Sequence, residues 1–308
     1  MGAYAGFPPD ARSQCLPKLR AMQTLSTVDN LPLHWRQWRQ LGDRPARGTV
    51  LIVHGLGEHI GRYEHVAKRL NAAGWNVVGH DHRGHGASGG ARGDIAKDES
   101  LLCDLARVID GLRGEPGLGN GRLLLLGHSL GGLIAARFVA GGLMANTAGA
   151  LPEWFRPIDG LIMSSPALDP GLSAWQRAQL WLGVRLAPHL GAGNGLKPAW
   201  ICRDAAVVQA YVQDPLVHKK VTPTLAQFIV DAGELVSQHA ADWVVPTLLL
   251  WAGSDRCVAP EGSAEFAAAA PADVLRAHCF EPLFHEIFNE PEKDQVFARL
   301  EAWLADKF

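Results

Sequence analysis

The sequence predicts an α/β fold, a mostly parallel central sheet flanked by helices, with one inserted helical cap. Short apolar runs end in glycine-rich sequence, the segments between them carry apolar residues at helical spacing, and the strand pattern stops from Asp169 to Asp242. Strands alternating with helices form parallel sheets through right-handed crossovers.

Residues 1–20 lack the uninterrupted apolar stretch of a signal peptide and are expected to be a weakly structured lead-in. The first part of the core is expected over 21–168. In it, Thr49–His59 (TVLIVHGLGEH) reads as a buried strand centred on Val50–Val53. RYEHVAKRLNAAG then has helical spacing and stops at Gly74. Trp75–Gly90 (WNVVGHDHRGHGASGG) is a short strand running into a loop, and ESLLCDLARVIDGLRG is a second helix. Arg122–Gly132 (RLLLLGHSLGG) is a strand entering a sharp turn, and Gly160–Leu168 (GLIMSSPAL) is a further strand. The cap is expected over 169–242, where Trp175, Leu180, Trp181, Leu182, Val184 and Leu186 crowd one helical stretch. A break this long is no ordinary loop. The second part of the core, 243–308, adds strands at Pro246–Asp255 and Val274–Phe280 and closes on the amphipathic helix DQVFARLEAWLADKF.

Apolar residues make up 47% of the 308 and charged residues 19%, enough for a large buried core. The formal net charge is −2 with both signs dispersed, which offers no basic face to nucleic acid. Cys15, Cys103, Cys202, Cys257 and Cys279 stand far apart with no C-x-x-C pair, so neither a disulfide framework nor a zinc site is expected. No segment reaches the length of a membrane span. A soluble, cytoplasmic chain is the expectation.

The strongest chemical signal is Gly127-His128-Ser129-Leu130-Gly131, a G-x-S-x-G string directly after a leucine-rich strand. A serine hydroxyl is a weak nucleophile until it is exposed and a base takes its proton. A tight strand-to-helix turn supplies the exposure, and the flanking glycines let backbones approach without Cβ clashes. The bare string also fits a structural Gly-Ser turn, but the strand before it and the helix after it weigh against that. An oxyanion hole needs two fixed N–H groups, expected here from Leu130 and from Leu56 in the loop His54-Gly55-Leu56-Gly57. Losing one such donor costs about 3–4 kcal/mol in comparable enzymes. His54 itself is expected only to brace the loop.

The base is sought among 13 histidines. His285 follows the last expected strand and precedes the closing helix, where the chain order Ser…Asp…His places it. His80, His82 and His85 belong to the second loop, His128 is a neighbour the turn aims elsewhere, and His278, the rival, lies inside a strand. The acid, which fixes the imidazole tautomer, is expected to be Asp255 at the end of TLLLWAGSD. Asp169 in SPALDP is the reserve, and an ordinary turn is the plainer reading of Asp255. No spacing suits a metal site, and no dinucleotide fingerprint occurs, so no cofactor is expected.

HGLGEHIGRYEHVAKRL, HDHRGHGASGG, GHSLGG, WAGSD and FHEIFNE together resemble the monoacylglycerol lipase and lysophospholipase branch of the α/β-hydrolases, from about Leu33 to the C-terminus. Ile201–Lys220 in the cap is similar too, whereas Pro188–Leu196 is richer in glycine than the family pattern. The resemblance implies an α/β-hydrolase fold and a monomeric or weakly associating lipase-like enzyme with a mobile apolar cap over a lipid tunnel. It implies triad roles for Ser129, Asp255 and His285 and oxyanion roles for Leu56 and Leu130.

The expected reaction is therefore hydrolysis of monoacylglycerols or similar single-chain lipid esters through an acyl-Ser129 intermediate. Lysophospholipase, broad carboxylesterase and acyl transfer are the nearest alternatives, and a ligand receptor on a hydrolase shell is the alternative of another class. A lysophospholipase should present a basic group for phosphate, and Arg177, Arg185, Lys197 and Arg203 leave that open. Trp175, Leu180 and Trp181 are expected either to meet acyl chains or a membrane surface, or simply to pack on the core.

Overall fold

The computed structural model describes residues 23–40, 45–119, 121–144 and 149–308; the expected lead-in, 1–20, lies outside them. The chain opens with an antiparallel pair, β1 (Gln23–Ser26) and β2 (Pro32–Trp38). The winding then begins with β3 (Gly48–Val53), α1 (Glu64–Ala72) and β4 (Asn76–His80). It continues through α2 (Ser100–Gly114), β5 (Arg122–His128), α3 (Leu130–Leu143) and β6 (Gly160–Ser164). The inserted stretch holds α4 (Ala174–Leu186), β7 (Ala192–Gly193), α5 (Ala205–Gln213), β8 (Lys220–Val221) and α6 (Pro223–Gln238). The core resumes with β9 (Thr247–Ala252), α7 (Pro260–Ala269), β10 (Leu275–Phe280) and α8 (Lys293–Lys307).

The main sheet has the order β1-β2-β4-β3-β5-β6-β9-β10 and is parallel from β4 to β10, as an α/β-hydrolase sheet is. Every residue of β3 is buried because helices cover both faces. The period of two is visible in the packing. Leu51 and Val53 join a core with α2, α3 and α6, while Val50 and Ile52 join the opposite core with α1 and α8. From β3 the chain steps first to β4 on one side and later to β5 on the other. That reversal opens a crevice beyond the carboxyl ends of β3 and β5, where such sheets place their sites.

The inserted stretch behaves as two parts. Helix α6 packs on α3 with Leu225, Phe228, Ile229, Ala232 and Val236 in the core, and its Gly233 passes so close to the Leu168 carbonyl that a Cβ would sit 2.2 Å from that oxygen. Helix α4 buries none of its residues. Its N-terminus is set by a capping box between Ser173 and Gln176. The segment between them is tied down by backbone bonds: His218 N–H to Gly57 O at 2.8 Å, Thr222 N–H to Gly93 O at 2.9 Å and Glu286 N–H to Ile201 O at 2.7 Å. No helix among the described residues is long and apolar enough to cross a membrane.

Candidate active site

Ser129 stands between β5 and α3 with φ 53° and ψ −121°, a left-handed conformation that a serine adopts only when its surroundings impose it. The neighbouring glycines show what imposes it. A Cβ on Gly131 would lie 1.9 Å from Val53 O, and one on Gly127 would lie 2.3 Å from Gly131 O. The turn is thus pressed against the end of β3 and against itself. Ser129 N–H donates to Ser164 O at 3.0 Å, which pins the turn to β6 as well.

Strands β5, β9 and β10 run parallel, so the segments following them emerge at one sheet end. Asp255 follows β9 and His285 follows β10. His285 Nδ1 and Asp255 Oδ2 are 2.7 Å apart, both side chains being almost fully buried. Asp255 Oδ1 accepts from Cys257 N–H at 2.7 Å and Val258 N–H at 3.2 Å. Burial alone would lower the His285 pKa, but the Asp255 carboxylate outweighs it and holds the imidazole above its ordinary value. Burial would likewise raise Asp255, and the His285 imidazole with the two amides keeps it below the usual carboxylate range. The His128 ring lies 4.7 Å from the His285 ring, and burial with that neighbour pushes its pKa down to about 4.

The loop after β3 lies against the serine: a Cβ on Gly55 would be 3.2 Å from Ser129 Cβ. Leu56 is half-buried in this loop, and Leu130 is the first residue of α3, whose N–H has no carbonyl to meet within the helix. His54 has both ring nitrogens occupied, Nδ1 donating to Gly55 O at 2.8 Å and Nε2 accepting from His82 N–H at 2.9 Å. Burial holds it neutral, with a pKa well below ordinary. It braces the loop. Asp81 does similar work in the D-x-x-GHG-x-S stretch, accepting from Ile60 N–H and Ala87 N–H at 2.8 Å each.

The remaining candidates lie elsewhere. His278 is within β10 against Phe280, and Asp169 closes a local turn by accepting from Gly171 N–H at 2.7 Å. Trp175 and Trp181 are 72% and 55% exposed on α4, with Leu180 half-buried between them. Arg203 is paired with Glu290 and Glu292, and Arg177 with Glu234. Arg185 and Lys197 lie over the rings of Trp181 and Trp200. Asp255, Cys257 and His285 bring a carboxylate, a thiol and an imidazole within 4.8 Å, but burial raises the Cys257 thiol far above neutral pH and keeps it protonated. Sequence reasoning passed over Glu58, Arg62, Tyr63 and Glu286, a buried polar group behind His285. Its traces in the sequence are GEH and RY in the first motif and the HE of FHEIFNE.

Residues 44–292 match the family described as serine aminopeptidase, S33. The monoacylglycerol lipase of Mycolicibacterium smegmatis is 33% identical over 267 residues, 85% of this chain and 89% of that protein. A phospholipase of Bacillus subtilis is 29% identical, covering 86% of this chain and 98% of that protein. The crystal structure of the Paleococcus ferrophilus monoacylglycerol lipase matches with a TM-score of 0.76 at 32% identity, over 90% of this chain and 99% of that one. With the elbow, the sheet order and these likenesses together, the chain belongs to the serine aminopeptidase S33 family of α/β-hydrolases, in the branch of the monoacylglycerol lipases.

Proposed function

We propose that this enzyme hydrolyses monoacylglycerols or similar single-chain lipid esters to a fatty acid and an alcohol, with Ser129 as nucleophile, His285 as base and Asp255 as the acid that orients it. The observation that carries the reading is the strained Ser129 at the same sheet end as the buried His285–Asp255 pair. Asp255 accepts a hydrogen bond from His285 Nδ1–H, which keeps that proton on Nδ1 and leaves the Nε2 lone pair free for the serine proton. Ser129 Oγ attacks the ester carbonyl, and the oxyanion forms against the N–H groups of Leu56 and Leu130. Collapse expels the alcohol, which takes its proton from His285. Water, deprotonated by the same imidazole, then releases the fatty acid and restores Ser129.

A neutral alcohol half is favoured over a phosphate-bearing one. Of the four residues considered for a phosphate, Arg177 and Arg203 are already paired with carboxylates, and Arg185 and Lys197 lie on tryptophan faces. Lysophospholipase activity is the second reading, and the Bacillus relative is a phospholipase. We take 169–242 as the cap, with α6 as its root in the core and α4 as its free wall. Trp175, Trp181, Leu182, Leu186 and Leu190 are exposed along and just beyond α4, a surface suited to a lipid interface, and a cytoplasmic, peripheral enzyme fits it. Hydrolysis of a panel tests the function: 1-monoacylglycerols of several chain lengths, a lysophosphatidylcholine and a short p-nitrophenyl ester, with wild type and Ser129→Ala. Preference for monoacylglycerols and a dead Ser129→Ala are expected. Wild-type activity in the variant removes the nucleophile assignment, and labelling of Ser129 by a fluorophosphonate without turnover would favour the receptor.

A further inference from the structure

We propose that Arg62 is a positioning residue whose guanidinium links the oxyanion loop to the His285 loop and holds the two in register. On one side Glu58 grips the oxyanion loop. Its Oε1 accepts from Gly55 N–H and from Tyr63 OH, each at 2.6 Å, and its Oε2 meets Arg62 Nη1. Gly55 immediately precedes Leu56 and lies against Ser129. On the other side Glu286 immediately follows His285. It takes both arms of Arg62, Nη1 to Oε1 at 2.6 Å and Nη2 to Oε2 at 2.7 Å, and Asn289 Nδ2 adds a bond of 2.8 Å. Tyr211 of α5 covers the guanidinium with its ring at 4.8 Å, so the fixed part of the cap closes the cluster.

The side chains of Arg62, Glu58 and Glu286 are only 12%, 5% and 6% exposed. The cavity beside them, about 10 Å³, has room for about one water molecule and none for a substrate group. Arg62 therefore acts through the two loops and not by contact with the ester. Two carboxylates bridged by one guanidinium are weak evidence for stability, since an apolar cluster of equal volume is often as stable. Geometry is what such a bridge supplies here. Without the cation the two buried carboxylates repel, and the loops they belong to carry the Leu56 donor and the base. A misplacement of about 1 Å at reacting groups costs on the order of 100-fold in rate.

The inference rests on the Ser129–His285–Asp255 reading, so Ser129→Ala is run beside Arg62→Lys, Arg62→Met and Glu286→Gln. Each variant is assayed for kcat and KM on a short p-nitrophenyl ester, for the pH profile of kcat/KM and for thermal melting. Arg62→Lys, which keeps the charge but not the fork, is expected to stay folded, to lose roughly 10–100-fold in kcat and to keep KM within about two-fold. Arg62→Met is expected to lose more, and Glu286→Gln to move the acid limb of the profile to lower pH. If Arg62→Met fails to fold, Arg62→Lys and Glu286→Gln decide. Folded Arg62→Lys with wild-type kcat, or a loss confined to KM, overturns the proposal. An active Ser129→Ala overturns the underlying reading instead; an inactive Ser129→Ala with an unaffected Arg62→Lys removes only the positioning role.

Discussion

Replacing Asp255 by Asn keeps the shape of the side chain and relocates one proton. The Asp255 Oδ1 position receives two backbone N–H groups, from Cys257 and Val258, so the amide oxygen of an asparagine must take it. The amide NH2 then faces His285 Nδ1, 2.7 Å away in the native pair. An NH2 only donates, so Nδ1 must accept and the imidazole proton moves to Nε2. The opposite orientation would set donors against donors in a buried site, at about 1–3 kcal/mol for each group left unmet. An imidazole protonated at Nε2 cannot take the proton of Ser129. The corresponding change in a serine protease triad lowers kcat by about 10⁴, on the order of 5 kcal/mol of barrier. Single-turnover acylation with a short p-nitrophenyl ester, with circular dichroism to verify the fold, measures this directly. A folded Asp255→Asn enzyme within tenfold of wild type would falsify the tautomer argument and with it the assignment of Asp255.

The pH profile follows from the same pair. As the proposed base, His285 must be neutral to act, and Asp255 holds its pKa above the ordinary histidine value, so kcat/KM on a short ester should rise with pH through an apparent pKa above about 6.5. Protonated His285 is the form that Asp255 stabilises, so its contribution to folding is complete below the unfolded histidine pKa and is lost as pH rises through the folded one. A midpoint below the ordinary value contradicts this. Gly131→Ala places a methyl 1.9 Å from Val53 O, forcing the elbow and β3 apart. A loss of kcat of roughly 100-fold or outright unfolding is expected, whereas Gly193→Ala, with open space around it, should change neither activity nor melting. Trp175→Ala/Trp181→Ala should reduce sedimentation with phospholipid vesicles while leaving short-ester kcat/KM within about two-fold; unchanged vesicle binding rules out α4 as the contact.

The strands and helices that position the site are legible because their signals are local. Val50–Val53, the LLLL of β5 and TLLLW of β9 are apolar runs that only a sheet covered on both faces can bury. Ser129 announces itself through Gly127 and Gly131, whose missing side chains are needed for contacts inside one short turn. Strand β2, one place in from the sheet edge, is harder to read, because its pattern of PLHWRQW mixes exposed, half-buried and buried positions. Helix α6 reads in sequence as one more cap helix; its apolar face lies against α3, which no spacing along the chain can disclose.

The sequence by itself determined the alternation of strand and helix and the elbow glycines, since each depends on neighbours within a few residues, and its Ser…Asp…His order made Ser129, Asp255 and His285 the candidates. Tertiary structure alone decided that Asp255 and not Asp169 meets His285, that α4 stands free while α6 is rooted, and that Arg62 joins Glu58 to Glu286 across 224 residues of chain. Charges pair through space at distances under 3 Å, and the sequence records which charges exist but not which of them folding brings face to face.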